Sequence, residues 1–237
     1  MVIRNVKYIS IYEELKQRIS DEKYDVGSLF PAEPELQKEF NASRITIRRS
    51  VQMLVDDGFL QRMPGVGTVV VSNKGALQLN TLTSFAKDNQ NKNVKSEIVQ
   101  YQVLYSPKPI VLFRLELSSN DTVAYQERIR YIDDIPIGFQ RIYVPSFIGL
   151  DETVLSNPDL SIYKLFEDKG HKVSQAKEMI EAVIANNELS KYLQIDKGSP
   201  LLYVQRITHD QSGKIIEYAE IYYRGDKYHY TLDLNAL

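Results

Sequence analysis

Between residues 41 and 58, apolar side chains recur at the spacing of an α-helix. The steps of four, three and one residues between them place these side chains on one face, which is therefore predicted to pack against a core. The residues of this apolar face are Ile47, Val51, Leu54 and Val55.

The two ends of this predicted helix differ in their chemistry. Ser43 is a good N-cap, because its hydroxyl can accept a hydrogen bond from a free amide in the first turn. Gly58 is suited to the left-handed conformation that ends a helix. Arg44, Arg48 and Arg49 lie largely outside the apolar face. Arginines and hydroxyls at the first turns of an anchored helix are typical of a DNA recognition helix. The alternative is a surface helix with solvated arginines.

Two further helices are predicted before it, over residues 8–23 and 33–40. A tight turn at residues 41–42 separates the second of them from the helix that starts near Ser43. Two helices joined by so short a turn form a helix-turn-helix. The residues predicted to face inward are Ile11, Leu15, Ile19, Leu36 and Phe40.

A β-hairpin is predicted directly after the third helix. Residues 59–63 and 68–71 read as strands, and the Pro64–Gly67 segment between them is rich in glycine. Beside a helix-turn-helix, such a hairpin acts as a wing, and a tip with little side-chain bulk lets its backbone approach a phosphate or a minor groove. The alternative is an ordinary hairpin loop.

From about Leu82 the pattern changes to one dominated by strands. The predicted strands are 95–104, 122–132, 137–144, 172–185, 201–208 and 215–224. The predicted helices are 109–117, 162–167 and 188–193. Residues 133–136 and 210–213 read as hairpin turns. The fold class is therefore α+β, with a helical N-terminal domain and a second domain built on an antiparallel sheet.

Composition limits the functional classes. A chain of 237 residues, 43% hydrophobic and 25% charged, suits one large or two ordinary globular domains. It contains no apolar run long enough for a membrane span and no signal peptide at its N-terminus. It has no cysteine, which excludes disulfides and thiolate metal sites and fits a cytoplasmic protein. The three histidines are scattered, so we expect no metal site and no cofactor.

The net charge of −2 argues against a surface that is basic throughout. Basic and acidic side chains balance within residues 1–72, but the arginines cluster from 44 to 62 while most acids precede them. A positive surface would therefore be local, and DNA affinity should be modest per monomer and dependent on salt.

Arg128 and Arg130 are the main candidates for ligand chemistry in the second domain. They lie two apart on a predicted strand, so both point to one face of the sheet. Two guanidinium groups on one face can bind a phosphate or a carboxylate in bidentate fashion. The alternative is a pair of surface salt bridges with Glu127 or Asp133.

Several motifs resemble the winged-helix signature of the GntR family of bacterial transcription regulators. They are Leu29–Leu36, Ser43–Arg48, Leu54–Leu60 and Gly65–Thr68. One position departs from the family pattern, since Pro34 stands where arginine is common. The residues that the resemblance implies for DNA binding are Ser43, Arg44, Thr46, Arg48, Arg49 and Gly65.

The second region is similar to the effector-sensing UTRA domain of the HutC-type branch of that family, whose fold resembles chorismate lyase. The landmarks are residues 82–85, 127–130, 135–136, 143–145, 161–163, 198–200 and 222–226. The resemblance implies a DNA-binding domain at 1–72, a linker at 73–81 and an effector-binding and dimerisation domain at 82–237. It also implies a homodimer that binds a palindromic operator.

Ligands of the resembled regulators are small polar metabolites, often sugar phosphates. The matching positions implied for an anionic group and its surroundings are Ser84, Phe85, Arg128, Ser161 and Tyr163. Those implied for the rest of the ligand are Arg130, Gln140 and Tyr223. Relatives often carry glutamate where Gln140 stands, and a neutral amide argues against a ligand with an amine.

The sequence thus predicts a ligand-responsive transcription regulator, a repressor relieved by a small anionic metabolite. One alternative is an enzyme of lyase-like fold, but no nucleophile elbow, phosphate loop or acid/base pair is evident, so no catalytic residue is assigned. A second alternative is a DNA-binding protein whose pocket is vestigial.

Overall fold

The computed structural model describes residues 7–78, 93–150, 155–158 and 160–231. The chain divides into two compact units. The first contains the described residues up to Leu77 together with 229–231, and the second contains the rest of the described chain. No described helix is long and apolar enough to cross a membrane.

The first unit consists of three helices and a hairpin. Its elements are α1 (Lys7–Ser20), α2 (Glu33–Glu39), α3 (Arg44–Asp56), β1 (Leu60–Met63) and β2 (Gly67–Val70). The predicted apolar faces meet in one core, in which Leu15, Leu36 and Leu54 are fully buried. Phe40 and Val55 are only partly buried at its margin. The predicted helix-turn-helix and wing are both present.

Helix α3 begins and ends as its sequence predicts. The Ser43 hydroxyl accepts a hydrogen bond from the Thr46 amide at 3.3 Å, and Gly58 adopts a φ of +76° just beyond the end. Ser50 is buried on the same side as the apolar residues, where its hydroxyl donates to the Tyr8 carbonyl at 2.7 Å. The hydroxyl of Tyr12 donates to Asp57. These bonds fix α3 against α1.

Two features of the first unit differ from the prediction. Helix α1 ends at Ser20 rather than Lys23. Residues 27–30 then form an isolated β-bridge with β2, in which the Phe30 amide donates to the Thr68 carbonyl at 2.7 Å and the Val70 amide to the Ser28 carbonyl at 3.0 Å. The wing is therefore attached to the chain that enters α2.

Part of the predicted linker is a strand. Residues 73–74 are irregular, but β3 (Gly75–Gln78) pairs with β10 (Tyr228–Thr231) near the end of the chain. Residues 79–81 of the predicted linker lie outside the described residues. The exact domain boundaries at 72 and 82 stay predictions.

The second unit is built on a six-stranded antiparallel sheet. Its strands are β4 (Val94–Leu104), β5 (Val123–Ile132), β6 (Ile135–Pro145), β7 (Val173–Ile184), β8 (Pro200–Asp210) and β9 (Ile215–Arg224). Their order in the sheet is β4-β5-β6-β9-β8-β7. The described helices of this unit are α4 (Pro109–Leu115), α5 (Ile162–Asp168) and α6 (Asn187–Leu193).

The α+β class is confirmed, and the predicted strands and helices of this unit lie within a few residues of the observed ones. The turn between β5 and β6 is tighter than predicted. Asp133 and Asp134 alone form it, with φ values of +51° and +64°, so Ile135 already belongs to β6. Positive φ at both central residues matches the right-handed twist of the hairpin strands.

The two faces of the sheet have different contents. On one face Ala124, Ile142 and Val144 pack beneath α5, and the polar side chains described below continue the same rows. On the other face α4 and α6 pack against aromatic residues. Alternation along each strand assigns neighbouring residues to opposite faces, so the position of every polar side chain follows from the strand register.

Candidate functional site

The first turns of α3 form an exposed surface that carries positive charge. Arg44, Arg48 and Arg49 are all exposed, while Ile47 between them is fully buried. Ile45 is 82% exposed on the same surface, although it is a large apolar residue. The Ser43 and Thr46 hydroxyls lie 2.8 Å apart at the helix start. The sequence prediction missed Ile45, which its position between Arg44 and Thr46, off the apolar face of the helix, could have indicated.

Arg49 differs from the other two arginines. Its guanidinium lies 3.8 Å from the ring centroid of Tyr8, which belongs to α1. This cation–π contact holds Arg49 along α1. Arg44 and Arg48 therefore present the more available guanidinium groups at the N-terminal end of α3.

A cleft of about 950 Å³ lies between α2, α3 and the wing. Arg44, Arg48 and Arg62 line it together with Glu33. Glu33 is the acidic partner of two of these arginines, at 3.8 Å from Arg44 and 3.9 Å from Arg62. These ion pairs are long and solvent-exposed, so they contribute little and can be exchanged for contacts with phosphate. Pro34 lies in the first turn of α2 and is exposed.

The wing tip is a turn that depends on glycine. Gly65 and Gly67 have φ values of +75° and +128°, in the region that L side chains rarely adopt. Apart from Gly65 and its two chain neighbours, no heavy atom of the described residues lies within 4 Å of the position that a Cβ of Gly65 would take, so its backbone is open to approach. Met63 and Val66 flank this turn with exposed apolar side chains.

In the second unit, Arg128 is buried to 2% exposure on the face covered by α5. Its Nε donates to the Gln126 amide oxygen at 2.6 Å, and its Nη2 reaches the same oxygen. Its Nη1 is buried with no hydrogen-bond partner among the described residues. Burial, and then the neighbouring Arg130, hold the pKa of Arg128 well below its ordinary value. A buried cation whose side-chain hydrogen bonds go to a neutral amide favours an anionic ligand.

The residues around Arg128 follow from the register of the strands. Gln140 on β6 is its direct cross-strand partner and is also buried. Arg130 lies two residues along β5 on the same face and donates to the Ser96 hydroxyl at 2.6 Å. Burial lowers the pKa of Arg130 to about 10. Both arginines thus lie side by side on one face, as predicted.

Tyr223 reaches the same face because a glycine stands opposite it. Gly138 pairs with Tyr223 across β6 and β9, and a Cβ on Gly138 would lie 3.0 Å from Cδ1 of the tyrosine ring. The ring can therefore lie flat over β6, beside Arg130, which pairs with Gly138 from the other side. Tyr223 is buried, with its ring 5.0 Å from that of Tyr228.

Two charged residues on this face were missed by the sequence prediction. Arg206 donates to the Tyr163 hydroxyl at 3.0 Å and to Glu178 at 2.6 Å. Glu217 is buried beside it and accepts a hydrogen bond from Thr208 at 2.6 Å. Burial raises the pKa of Glu217, although the nearby arginines oppose that shift. Only the register of β8 and β9 shows that these residues share a face with Arg128.

The remaining predicted ligand residues are placed as follows. Tyr163 is in the first turn of α5, and Ser161 is the residue that caps this helix, partly exposed and without a side-chain capping bond. Ser84 and Phe85 lie outside the described residues. The structure therefore brings together Arg128, Arg130, Gln140 and Tyr223, with Tyr163 joined to them through Arg206.

The alternative of a surface salt bridge involving Glu127 does not fit the geometry. Glu127 points to the opposite face of the sheet, where it accepts from Arg141 at 2.9 Å and from the Tyr125 hydroxyl at 2.5 Å. Arg141 also binds Glu188 at 2.8 Å. This second face has its own charge balance, independent of Arg128.

Two family models match this chain. The model described as "Bacterial regulatory proteins, gntR family" matches residues 7–70, and the UTRA domain model matches residues 89–229. The chain belongs to the GntR family. As a GntR-family member with a UTRA domain, it is a DNA-binding transcription regulator that responds to a small-molecule effector, and not an enzyme.

Full-length relatives and solved structures agree with this assignment. The HTH-type transcriptional repressor NagR of Bacillus subtilis is 31% identical over 97% of this chain and 95% of its own length. A probable fructoselysine utilization operon transcriptional repressor of Escherichia coli is 30% identical over 94% of each chain. The crystal structure of PhnF from Mycobacterium smegmatis shares the fold, with a TM-score of 0.66 at 23% identity, over 96% of this chain and 100% of that one.

In the part of this GntR-family regulator that the structure describes, no group of three or more histidine or acidic side chains is arranged to hold an ion. His171 instead lies 2.8 Å from Asp210, in a pair at the end of β8.

Proposed function

We propose that this regulator is a cytoplasmic, homodimeric repressor that releases a short palindromic operator when a small anionic metabolite binds the second unit. Arg128 carries the proposal. It is a buried guanidinium with an unsatisfied Nη1, and Arg130 lies next to it on the same face. An oxyanion such as a phosphate would satisfy Nη1 of Arg128 and offset the cost of burying these two charges.

The names of relatives support a sugar-derived ligand. One relative is named for fructoselysine utilization, and another for mannosyl-D-glycerate transport and metabolism. A sugar phosphate combines such a polar body with the anionic group that Arg128 favours. Gln140, directly opposite Arg128, is neutral and therefore selects against a ligand that carries an amine near the anion.

For operator binding we assign the first turns of α3 to the major groove and the wing tip to the minor groove. Arg44 and Arg48 contact bases or phosphates, Ser43 and Thr46 fix the backbone, and Gly65 touches the minor groove. Arg49 contributes less, because Tyr8 already holds it along α1. Two copies would read the two halves of a palindrome.

The effector can weaken operator binding only if it binds more tightly to an arrangement of the dimer that fits the operator poorly. The effector must then lower the affinity for the operator by the same factor by which operator DNA lowers the affinity for the effector. That reciprocity separates a sensor from a DNA-binding protein with a vestigial pocket.

The first test is thermal unfolding of the full-length protein against a panel of sugar phosphates, organic acids and amino acids. A specific ligand at 100 times its dissociation constant adds about 2.7 kcal/mol of stability to the unit that binds it. Arg128→Ala should lose this shift. Arg141→Ala is the matched control, because it removes an arginine from the opposite face of the same sheet and should keep the shift relative to its own baseline.

Fluorescence anisotropy with operator DNA completes the test. The active ligand should lower the operator affinity of the wild type and leave that of Arg128→Ala unchanged. If Arg128→Ala binds the ligand as tightly as the wild type in calorimetry, the proposed anion site is wrong. If a ligand binds but operator affinity does not respond to it, the proposed release mechanism is wrong.

A further inference from the structure

The two outer strands of the six-stranded sheet differ in how far they are protected against pairing with another chain. In β4 the pairing with β5 is interrupted by a bulge between Ile98 and Gln100. In β7 the pairing with β8 is interrupted only near its start, and it then runs without a break from Gln175 to Ile184. Proteins usually blunt an edge strand with bulges or prolines, because its free backbone groups invite pairing.

From Gln175 to Ile184, β7 has neither a bulge nor a proline. No strand in the described part of the chain pairs with the side of β7 that faces away from β8. The strand also exposes apolar side chains, with Met179 and Ile180 at 42% and 40% exposure and Ile184 at 71%. A regular strand of this length with exposed apolar residues is suited to adding another strand.

The charges on β7 are arranged around its middle. Lys177 and Glu181 are both exposed, and each lies two residues from Met179 on the same face of the strand. The sequence Lys177-x-Met179-x-Glu181 is therefore complementary to its own reverse. A second copy of the same strand, running antiparallel, would bring opposite charges together at both positions.

We propose that β7 of one subunit pairs antiparallel with β7 of a second copy of this chain, with the two-fold axis at Met179. In this register Lys177 lies opposite Glu181 of the partner subunit, and the reverse pair forms on the other side of the axis. The two six-stranded sheets become one continuous sheet. The proposal deepens the proposed function, since it names the surface that makes the expected homodimer.

Other registers are less favourable. Each sheet face stays continuous only if the axis passes through a residue, because directly opposite residues share a face. An axis at Glu178 would place that carboxylate against Glu178 of the partner subunit, and an axis at Ile180 would oppose Lys177 to Val183 of the partner subunit. An axis at Lys177 or Glu181 would set like charges against each other. Only the axis at Met179 forms two lysine–glutamate pairs.

The interface would also be connected to the ligand face, which is the face of the sheet that carries Arg128, Arg130 and Arg206. Glu178 lies on β7, one residue from the proposed axis, and its carboxylate holds Arg206 at 2.6 Å. Arg206 in turn donates to the Tyr163 hydroxyl at 3.0 Å. A ligand that moves Tyr163 or Arg206 would therefore act on the strand that joins the two subunits.

Cysteine cross-linking tests the proposed register, because the natural chain contains no cysteine. Met179→Cys in the full-length protein should form a disulfide-linked dimer on mild copper–phenanthroline oxidation. Val103→Cys is the matched control, since Val103 is equally exposed, at 42%, but lies on the opposite edge strand. Equal cross-linking of both variants would overturn the proposal.

Charge exchange gives an independent test by analytical ultracentrifugation. Lys177→Glu should raise the dimer dissociation constant roughly tenfold, because two attractive cross-strand pairs become repulsive. The double variant Lys177→Glu with Glu181→Lys should restore it. A dissociation constant that is the same in the single variant and the wild type would overturn the register. If wild type itself stays monomeric when it binds operator, the homodimer of the proposed function is wrong as well.

Discussion

At the scale of single residues, the arginines of the ligand face differ in how their charge is compensated. Arg206 is held by the carboxylate of Glu178, whereas Arg128 donates to the neutral amide of Gln126. Burial lowers the pKa of Arg128, whereas the nearby Tyr163, and then the Glu178 carboxylate, raise the pKa of Arg206 in spite of its burial. Arg206 therefore has its own acidic partner, and Arg128 is the arginine that we propose for binding the anion.

Ile45 is expected to read thymine at one operator position. A large apolar side chain, 82% exposed between two arginines at the start of α3, is placed to contact a thymine methyl group in the major groove. On an operator obtained by selection, replacing that thymine with uracil should weaken wild-type binding by about 1 kcal/mol. Ile45→Ser should bind both DNAs equally. A wild type insensitive to uracil at every position would rule out this contact.

Asp210 is expected to make stability depend on acid pH. His171, and then Ser212, hold the pKa of its carboxyl below the ordinary value. Its stabilising contribution is therefore complete above its unfolded-state pKa of about 3.9 and is lost as pH falls through the lower folded-state value. Asp210→Asn should cost about 1–2 kcal/mol at pH 7 in urea unfolding, and the cost should shrink as pH falls from 5 towards 3.

Ser212→Ala is the control for this experiment, because it removes a hydroxyl that donates to Asp210 at 2.6 Å without removing charge. Its cost should also shrink as pH falls, but by less, because Ser212 is the second cause of the lowered pKa and not the first. A cost of Asp210→Asn that is the same at pH 7 and pH 3 would contradict the lowered pKa.

At the scale of elements, local patterns predicted most of the structure. Ser43, Gly58 and the apolar steps of α3 are local signals, and each has its predicted role. The bridge between residues 27–30 and β2 was missed, and so was the strand pair β3–β10, because the partners are distant in sequence and no local pattern encodes them. Arg128 and Arg130 could be paired from their spacing, but Arg206 could not, since its place depends on a register across three other strands.

The close contact between β6 and β9 leads to a prediction at this scale. Gly138→Ala would place a methyl group 3.0 Å from the Tyr223 ring, which must then shift away from the ligand face. We expect a loss of about 1 kcal/mol in stability and a smaller ligand-induced thermal shift. In a Tyr223→Ala background the same substitution should cost much less stability, because the crowding is gone. Equal costs in both backgrounds would exclude this explanation.

At the scale of the whole molecule, the chain contains two units with separate hydrophobic cores. The first core surrounds Leu15, Leu36 and Leu54, and described clusters of the second surround Ile142 with Phe166 and Phe139 with Leu193. Each unit is large enough to unfold cooperatively by itself, so a single unfolding free energy does not describe the protein.

Calorimetry should therefore resolve two transitions. Operator DNA should raise only the transition of the first unit, and the effector mainly that of the second. Leu54→Ala and Phe166→Ala show which transition belongs to which unit. Each should lower the unfolding free energy of its own unit by about 2–5 kcal/mol and leave the other transition in place. A single transition, lowered by both substitutions, would show that the two units unfold together.

The unsatisfied guanidinium of Arg128 also affects which variants of this protein a selection would retain. Replacing it with an apolar residue of similar volume removes a buried charge and should make the ligand-free protein more heat-resistant. A selection for robustness alone would therefore enrich variants at Arg128 that no longer sense the metabolite. Only a selection that alternates between repression and induction would retain the arginine, so marginal stability at this position is maintained by the need for a signal.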